Sequence, residues 1–301
     1  MDDRIVVTTQ QVRALIASQF PQWAGLDVRP VDHAGWCNRS FRLGETMLVR
    51  LPSAERYVAE VEKEHRWLPF LADHLSMPVP APLACGKPDA DYPWPWSVYR
   101  WLDGEPLVHH IDSVDLLHVA ADVAAFLNAL HAVDISDGPP AGTHNFHRGG
   151  ALQVYDQEAR AAAEALADEI DVALAMEIWR LALSSWWTER PVWVHGDVSE
   201  SNLLLRDGRL CAVIDFGNCC IGDPSSDTIL AWNLFTGESR KAFRAALAFD
   251  QATWQRGRGW ALWKALIVLA AERGRDEYRA EWSRRTIREV FADHLQAIAS
   301  V

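Results

Sequence analysis

Apolar residues at Val12, Leu15, Ile16 and Phe20 recur at helical spacing, with Thr8 and Thr9 placed ahead of them as caps, so a helix is predicted there. From Val28 to Leu51 the pattern turns extended, and FRLGETMLVRL predicts a hairpin turning at Gly44–Glu45. Residues 54–75 return to a helical period. MPVPAP at 77–82 ends that helix, because proline lacks the N–H a helix needs and its ring clashes with the preceding turn. SVYRWL at 97–102 reads as a further strand, closed by Asp103–Gly104.

Beyond residue 103 the texture changes. Residues 112–132 carry a strong helical period, and DISDGPPAGTHNFHRGG at 134–150 is a loop by composition. Helices are predicted at about 151–170 and 174–187. Residues 192–224 are the only extended region expected in this half, and within them NLLLRDGRLCAVIDF reads as two strands that meet at Asp207–Gly208, a strong hairpin signal. Helices resume after Pro224 and run to about residue 297. The pattern thus divides the chain into an α+β part, residues 1–102, and a mainly helical part with a buried hairpin, residues 103–301. A cleft between two such parts is a usual place for a ligand.

Charge narrows the partners. The chain of 301 residues carries a net −12. Residues 1–102 hold 11 basic and 12 acidic groups, and residues 103–301 hold 18 and 29. An acidic second half argues against nucleic-acid binding. It would suit a cationic ligand, or it is ordinary acidic solubility. The five cysteines, Cys37, Cys85, Cys211, Cys219 and Cys220, form no CxxC pair, so neither a zinc framework nor a disulfide scaffold is indicated. The start, Met-Asp-Asp-Arg, is not that of a secretory signal, and the longest apolar stretch, Trp260 to Ala271, is interrupted by Lys264 and too short for a bilayer. A reduced cytoplasmic protein without a membrane partner is expected, as a monomer or homodimer.

The chemistry concentrates in VWVHGDVSESNLLLRDGRLCAVIDFGNCCIGDP, residues 192–224. Phosphoryl transfer needs a group that orients and deprotonates the acceptor hydroxyl, and oxygen ligands for magnesium on the phosphates. Asp197 at a strand exit, Asn202 five residues later and Asp215 at the end of the next strand could supply these. His195-Gly196-Asp197-(x)4-Asn202, Ile214-Asp215-Phe216-Gly217 and Gly222-Asp223-Pro224-(x)2-Asp227 resemble the motifs of the aminoglycoside phosphotransferase family, within the protein-kinase-like superfamily. GWCNRSFRL, VRLP, EKEHRWL, PVPAPL and YPWPWSVYRWLDGE resemble that family's N-terminal lobe, so the resemblance covers most of the chain.

The resemblance implies a two-lobed protein-kinase-like fold, with a small β-rich N-terminal lobe and a larger, mainly helical C-terminal lobe. It implies an ATP- or GTP-dependent O-phosphotransferase acting on a small hydroxylated acceptor. An aminoglycoside, and with it antibiotic resistance, is the first expectation; macrolides, sugars and amino alcohols remain open. Asp197 would be the catalytic base, and Asn202 and Asp215 would hold Mg2+. Arg50 would grip the nucleotide phosphates, paired with Glu64 or Glu60. Gly35 and Asn38 lie in HAGWCNRSFRL, which would cover the phosphates, and Tyr99 to Trp101 would meet the purine. His195 and Asp227 are expected to orient the catalytic loop, and the acceptor pocket would be built from about 134–172 and 255–290, where Asp156, Glu158, Glu272 and Asp276 are candidates.

Three departures stand out. Arg50 replaces the lysine of protein kinases, and the two cations are not equivalent. The phosphate-covering segment has a single glycine. Val-Ser-Glu-Ser separates Asp197 from Asn202, where relatives often carry His-Pro-Gly; Glu200 is expected to face solvent or, alternatively, a cationic acceptor. A non-catalytic nucleotide or metabolite sensor is the competing reading, but the base and both metal ligands are present. The many tryptophans at helical spacing, among them Trp179, Trp186, Trp187, Trp254, Trp260 and Trp263, are expected in the core, and the vicinal cysteines are expected to pack. The absence of GxSxG and GxGxxG removes a serine hydrolase and a dinucleotide oxidoreductase, since RGRGW at 256–260 follows no strand.

Overall fold

Thr8 Oγ1 accepts the N–H of Gln11 at 3.2 Å, and Gln11 Oε1 accepts the N–H of Thr8 at 2.9 Å. This reciprocal cap satisfies two donors at the start of α1 (Thr9–Gln19). The computed structural model describes residues 4–31, 37–135 and 137–299. It divides into two compact units: Met1–Glu105 with Leu204–Arg206 and Cys211–Asn218, and Pro106–Leu203 with Asp207–Leu210 and Cys219–Val301.

In the first unit β1 (Val28–Pro30), β2 (Asn38–Leu43) and β3 (Met47–Pro52) are followed by α2 (Val58–His74), β4 (Pro82–Gly86) and β5 (Trp96–Arg100). The five strands form one antiparallel sheet in the order β1-β2-β3-β5-β4. α1 buries Val12, Leu15 and Ile16 against Val28, Phe41, Leu43, Val49, Leu51, Trp96 and Val98. Burying such side chains is worth roughly 1.5–3 kcal/mol each, and the alternation along β2 and β3 makes that burial one-sided. β4 begins inside the proline-rich segment that ends α2, an edge position where a proline costs no ladder bond.

The second unit holds α3 (Leu116–Ala132), α4 (Asp156–Ala165), α5 (Val172–Leu183), β7 (Val192–Val194), α6 (Leu230–Asn233), α7 (Gly237–Leu247), α8 (Gln251–Glu272) and α9 (Glu277–Ala299). The short β6 (Glu105–Pro106) lies beside the hairpin of β8 (Leu203–Arg206) and β9 (Arg209–Val213), whose residues are divided between the two units. β10 (Cys220–Gly222) pairs antiparallel with β7, so both lie with the hairpin inside the extended span 192–224 expected from the sequence; among the described residues the two-residue β6 falls outside it. Cys220 is buried there, and its thiol donates to the Arg148 carbonyl at 3.1 Å.

The RGRGW segment lies inside α8. A Cβ on Gly257 would stand 2.0 Å from Thr228 Oγ1, and one on Gly259 would stand 2.5 Å from Ala182 Cβ. Those glycines serve close packing. Around them Trp179, Trp260 and Trp263 join Leu152, Ala159 and Ala182 in one core cluster. Trp186 departs from the expected pattern: it lies beyond the end of α5 and is 74% exposed. Among the described residues no helix is long and apolar enough to cross a membrane.

Candidate active site

In the first unit the sheet and α2 bring Arg50, Glu64, Tyr99 and Asp215 together. Arg50 projects from β3, and its Nη1 lies 3.1 and 3.2 Å from the two carboxylate oxygens of Glu64. Its Nη2 lies 2.8 Å from Asp215 Oδ1. Of the two glutamates in prospect, Glu64 is the one paired with Arg50. Burial works against the cation of Arg50, but Glu64 and Asp215 outweigh it and hold the guanidinium firmly charged. The Tyr99 hydroxyl donates to Glu64. Burial and the Glu64 charge keep that phenol protonated.

Asp215 has φ 66°, a left-handed conformation that a non-glycine residue rarely adopts. Glu60, one helical turn before Glu64, is buried too. Desolvation, with Asp215 and Glu64 adding to it, pushes Glu60 up to about 8. A Cβ on Gly217 would stand 2.8 Å from Glu60 Oε2, so the glycine after Phe216 makes room for this carboxyl.

The other residues expected to bind the nucleotide sit differently. Asn38 opens β2 opposite Pro52 and is buried. Gly35 lies outside the described residues. The N–H groups of Arg100 and Trp101 donate to Ala81 and Thr46 at 2.9 and 2.8 Å, so these two donors are already engaged within the sheet. The Trp101 ring lies under the Arg42 guanidinium at 3.8 Å.

In the second unit the loop of residues 195–202 is held from below. Asp227 is fully buried and accepts the N–H groups of His195 and Gly196 at 2.8 and 2.7 Å. Burial pushes its carboxyl up to about 6, outweighing His195 and the two N–H bonds. His195, also buried, accepts the Asp197 N–H on Nδ1 at 3.2 Å. Asn202 Nδ2 donates to the Asp197 carbonyl at 2.9 Å and to its carboxylate at 3.4 Å. The loop is thus closed on itself from residue 195 to residue 202, with the Asp197 side chain half-buried at its centre.

Among the described residues no cluster of three His, Cys, Asp or Glu could hold a metal alone. The Asn202 amide of the second unit and the Asp215 carboxylate of the first each carry the oxygen type that magnesium prefers. The amide nitrogen of Asn202 is taken by Asp197, which leaves its oxygen for a cation.

Glu200 does not face solvent. Its Oε2 is buried without a hydrogen-bond partner, and burial raises the carboxyl while its own backbone, Trp282 and Arg285 partly offset that rise. The candidate acceptor acids are engaged within the unit. Trp179 Nε1 donates to Asp156 at 2.8 Å, Trp263 Nε1 donates to Glu158 at 2.7 Å, and Glu272 pairs with Arg279 at 2.6 Å. Asp276 accepts the N–H of Arg279 at 3.1 Å near the start of α9.

The sequence model of the family described as APH, phosphotransferase enzyme family, matches residues 27–260. No curated protein matches the chain. Among solved structures, the GDP complex of wild-type aminoglycoside 2'-phosphotransferase-IIIa superposes with a TM-score of 0.71 at 20% identity, over 96% of this chain and 100% of that one. The streptomycin–ATP ternary complex of the enzyme APH(2")-IIa gives a TM-score of 0.61 at 18% identity, over 96% and 97%. The apoenzyme of macrolide 2'-phosphotransferase MphH from Brachybacterium faecium gives 0.61 at 22%, over 90% and 97%. At these identities the likeness is one of fold, and it agrees with a β-rich first part and a helical second part.

Proposed function

The chain belongs to the phosphotransferase enzyme family, and from that membership we propose that it moves the γ-phosphoryl group of ATP or GTP to a hydroxyl of a small molecule. The observation that carries this reading is the catalytic loop: Asp197 is held by Asn202 on a loop whose backbone is anchored by the buried Asp227. A loop so fixed presents one carboxylate in one place, which is what proton transfer from an acceptor requires.

In the proposed reaction Asp197 accepts the acceptor's hydroxyl proton. The freed oxygen lone pair forms a bond to the γ-phosphorus, the bond from that phosphorus to the β,γ-bridging oxygen breaks, and the nucleoside diphosphate leaves with those electrons. Asn202 and Asp215 would hold magnesium, which neutralises charge on the phosphates. Arg50 would bind the α- and β-phosphates, kept in place by Glu64. Gly35 and Asn38 would lie over the phosphates, and Tyr99 to Trp101 beside the purine. Superposed relatives named for aminoglycosides and a macrolide support a polyhydroxylated natural product, an antibiotic included, as acceptor.

The test is magnesium-dependent nucleotide consumption against a panel of aminoglycosides, macrolides, sugars and amino alcohols, with ATP and GTP in parallel. Asp197→Asn should abolish acceptor-stimulated turnover and leave nucleotide binding within about twofold. Retained turnover in that variant would refute the role of Asp197. Nucleotide binding without turnover on any acceptor would favour a sensor.

A further inference from the structure

The loop between α3 and α4 holds a buried arginine that makes no side-chain ion pair among the described residues. Arg148 is 6% exposed, and its Nε and Nη1 are buried without a hydrogen-bond partner. Its backbone is fixed. The Arg148 carbonyl accepts Asn145 Nδ2 at 2.8 Å and the Cys220 thiol at 3.1 Å, and Gly149 O accepts the Asp223 N–H at 2.7 Å. Phe146, His147 and Gly149 have φ values of 51°, 52° and 72°. Two consecutive non-glycine residues in the left-handed region are strained, and such strain persists only where the surroundings enforce it.

The side chain is as well placed as the backbone. The guanidinium lies over Trp263 and Trp260, 4.9 and 5.2 Å from the ring centroids. Tyr155 stacks on Trp263 at 3.9 Å. Trp260 Nε1 is likewise buried with no partner. Tyr155 adds no further donor, because its hydroxyl is given to the Phe146 carbonyl at 2.6 Å. Arg148 feels the charges of Asp197 and Asp227, yet it bonds to neither. Elsewhere in this unit the buried arginines are matched: Arg256 with Asp223 at 2.7 Å and Arg258 with Asp293 at 2.6 Å. Buried donors are ordinarily paired, and an arginine more strictly than most.

We propose that Arg148 and the indole N–H of Trp260 form an oxyanion subsite on the Asp197 side of the acceptor region, and that the acceptor carries a carboxylate or phosphate group which this subsite binds. The proposal rests on the phosphotransferase reading and narrows it. A set of donors without acceptors is complemented by a group with acceptors only, and carboxylate and phosphate oxygens are such groups. The planar guanidinium adds the charge and the fork that these anions match, and the aromatic faces around it exclude water. A polycationic acceptor would meet repulsion there.

Two measurements test this. The first is calorimetric titration of the nucleotide-free full chain with inorganic phosphate. The wild type should bind at a site that Arg148→Met weakens at least tenfold and Trp260→Phe weakens by a smaller factor, while Arg148→Lys keeps part of the affinity. Because the guanidinium is unmatched, Arg148→Met should melt no lower than the wild type, which a purely structural arginine would not allow. Equal phosphate binding by wild type and Arg148→Met, or none by the wild type, would overturn the subsite.

The second compares glucuronate, glucose and glucosamine, and glycerate, glycerol and serinol, as acceptors with the magnesium nucleotide. The acid of each set should show a kcat/KM at least tenfold above its neutral and amino counterparts, and Arg148→Met should erase that preference. Preference for the neutral or amino member, or one uniform loss in the variant across each set, would overturn the assignment of the anion to the acceptor. Phosphate binding that depends on Arg148, with no turnover on any acceptor, would refute the phosphotransferase reading and leave the subsite standing.

Discussion

Asp227→Asn tests the support of the catalytic loop with a sign that depends on pH. In the wild type the two oxygens of Asp227 take the N–H groups of His195 and Gly196 at 2.8 and 2.7 Å. An amide keeps one oxygen and turns an NH2 toward the other N–H. One buried donor then loses its acceptor, at about 1–3 kcal/mol. The charge contributes separately. Folding raises Asp227 from 3.8 to about 6, burial being the main cause. A group raised by folding stabilises fully below its unfolded value and loses that contribution as pH rises through its folded value. Across this window the wild type loses about 3 kcal/mol through Asp227, since each tenfold change in proton affinity is worth ~1.4 kcal/mol. The asparagine has no such loss. Denaturant unfolding at pH 4.5, 6 and 8 should therefore show a deficit of the variant that is largest at pH 4.5 and shrinks by about 2–3 kcal/mol by pH 8. Turnover should fall at every pH while nucleotide affinity holds, because the damage is to the loop carrying Asp197. A deficit that is flat with pH, or that grows as pH rises, would refute the account of Asp227 as a buried carboxylate kept at a cost to hold two N–H groups.

Two further substitutions probe the nucleotide side. Glu64→Gln removes the charge that faces Arg50 at 3.1 Å and leaves the arginine to Asp215; nucleotide KM should rise about tenfold or more, with a smaller change in kcat, and an unchanged KM would detach the pair from phosphate binding. Glu60→Gln removes a carboxyl that folding raises from 4.5 to about 8. By the same sign rule the wild type loses stability between those values, up to about 5 kcal/mol, so the variant should gain on it steadily from pH 5 to pH 9 in unfolding experiments; parallel stability curves would show that folding does not raise Glu60.

The sequence was most legible where one local rule decides the outcome. The Thr8 cap, the turn after Leu43 and the Asp207–Gly208 hairpin depend on a few adjacent residues, and the structure has them. β4 escaped notice because it opens on Pro82 in a proline-rich segment that speaks against a strand, and a sheet edge makes that proline harmless. β10 is three residues long and exists because β7 lies beside it. In the candidate site the spacing of Asp197, Asn202 and Asp215 could be read directly, whereas the choice of Glu64 over Glu60 could not. Both glutamates lie on one helical face, and only the position of Arg50 on the sheet separates a paired carboxylate from a protonated one. Glu200 was expected in solvent because charge usually is, and nothing local reveals that Trp282 and Arg285 of α9 lie against it. Arg148 was hidden in a segment whose composition says only loop. The nearest signal was an arginine set directly before Gly149–Gly150, where the chain turns tightly.

Net charge would suit a cationic ligand or mean ordinary acidic solubility, and many of the acids in residues 103–301 already have partners. Asp223 and Asp293 neutralise Arg256 and Arg258 inside the unit, Asp122 holds Arg209, and Asp156 and Glu158 accept indole N–H groups. A carboxylate that already has its partner exerts little pull on a ligand, and surface acids are screened by salt within about 10 Å. In the same unit Arg148 Nε and Nη1 and the Trp260 indole N–H are buried without a hydrogen-bond partner, alongside one carboxylate oxygen, Glu200 Oε2. Recognition follows the unmatched groups, because only they gain a bond when a ligand arrives. An acidic protein can therefore select an anion, and in this chain the two readings make different demands on one residue. If the summed charge governed, removing Arg148 would cost an acid no more than removing any surface cation would. If the unmatched donors govern, the same substitution costs the acid its affinity and leaves the neutral acceptor where it was.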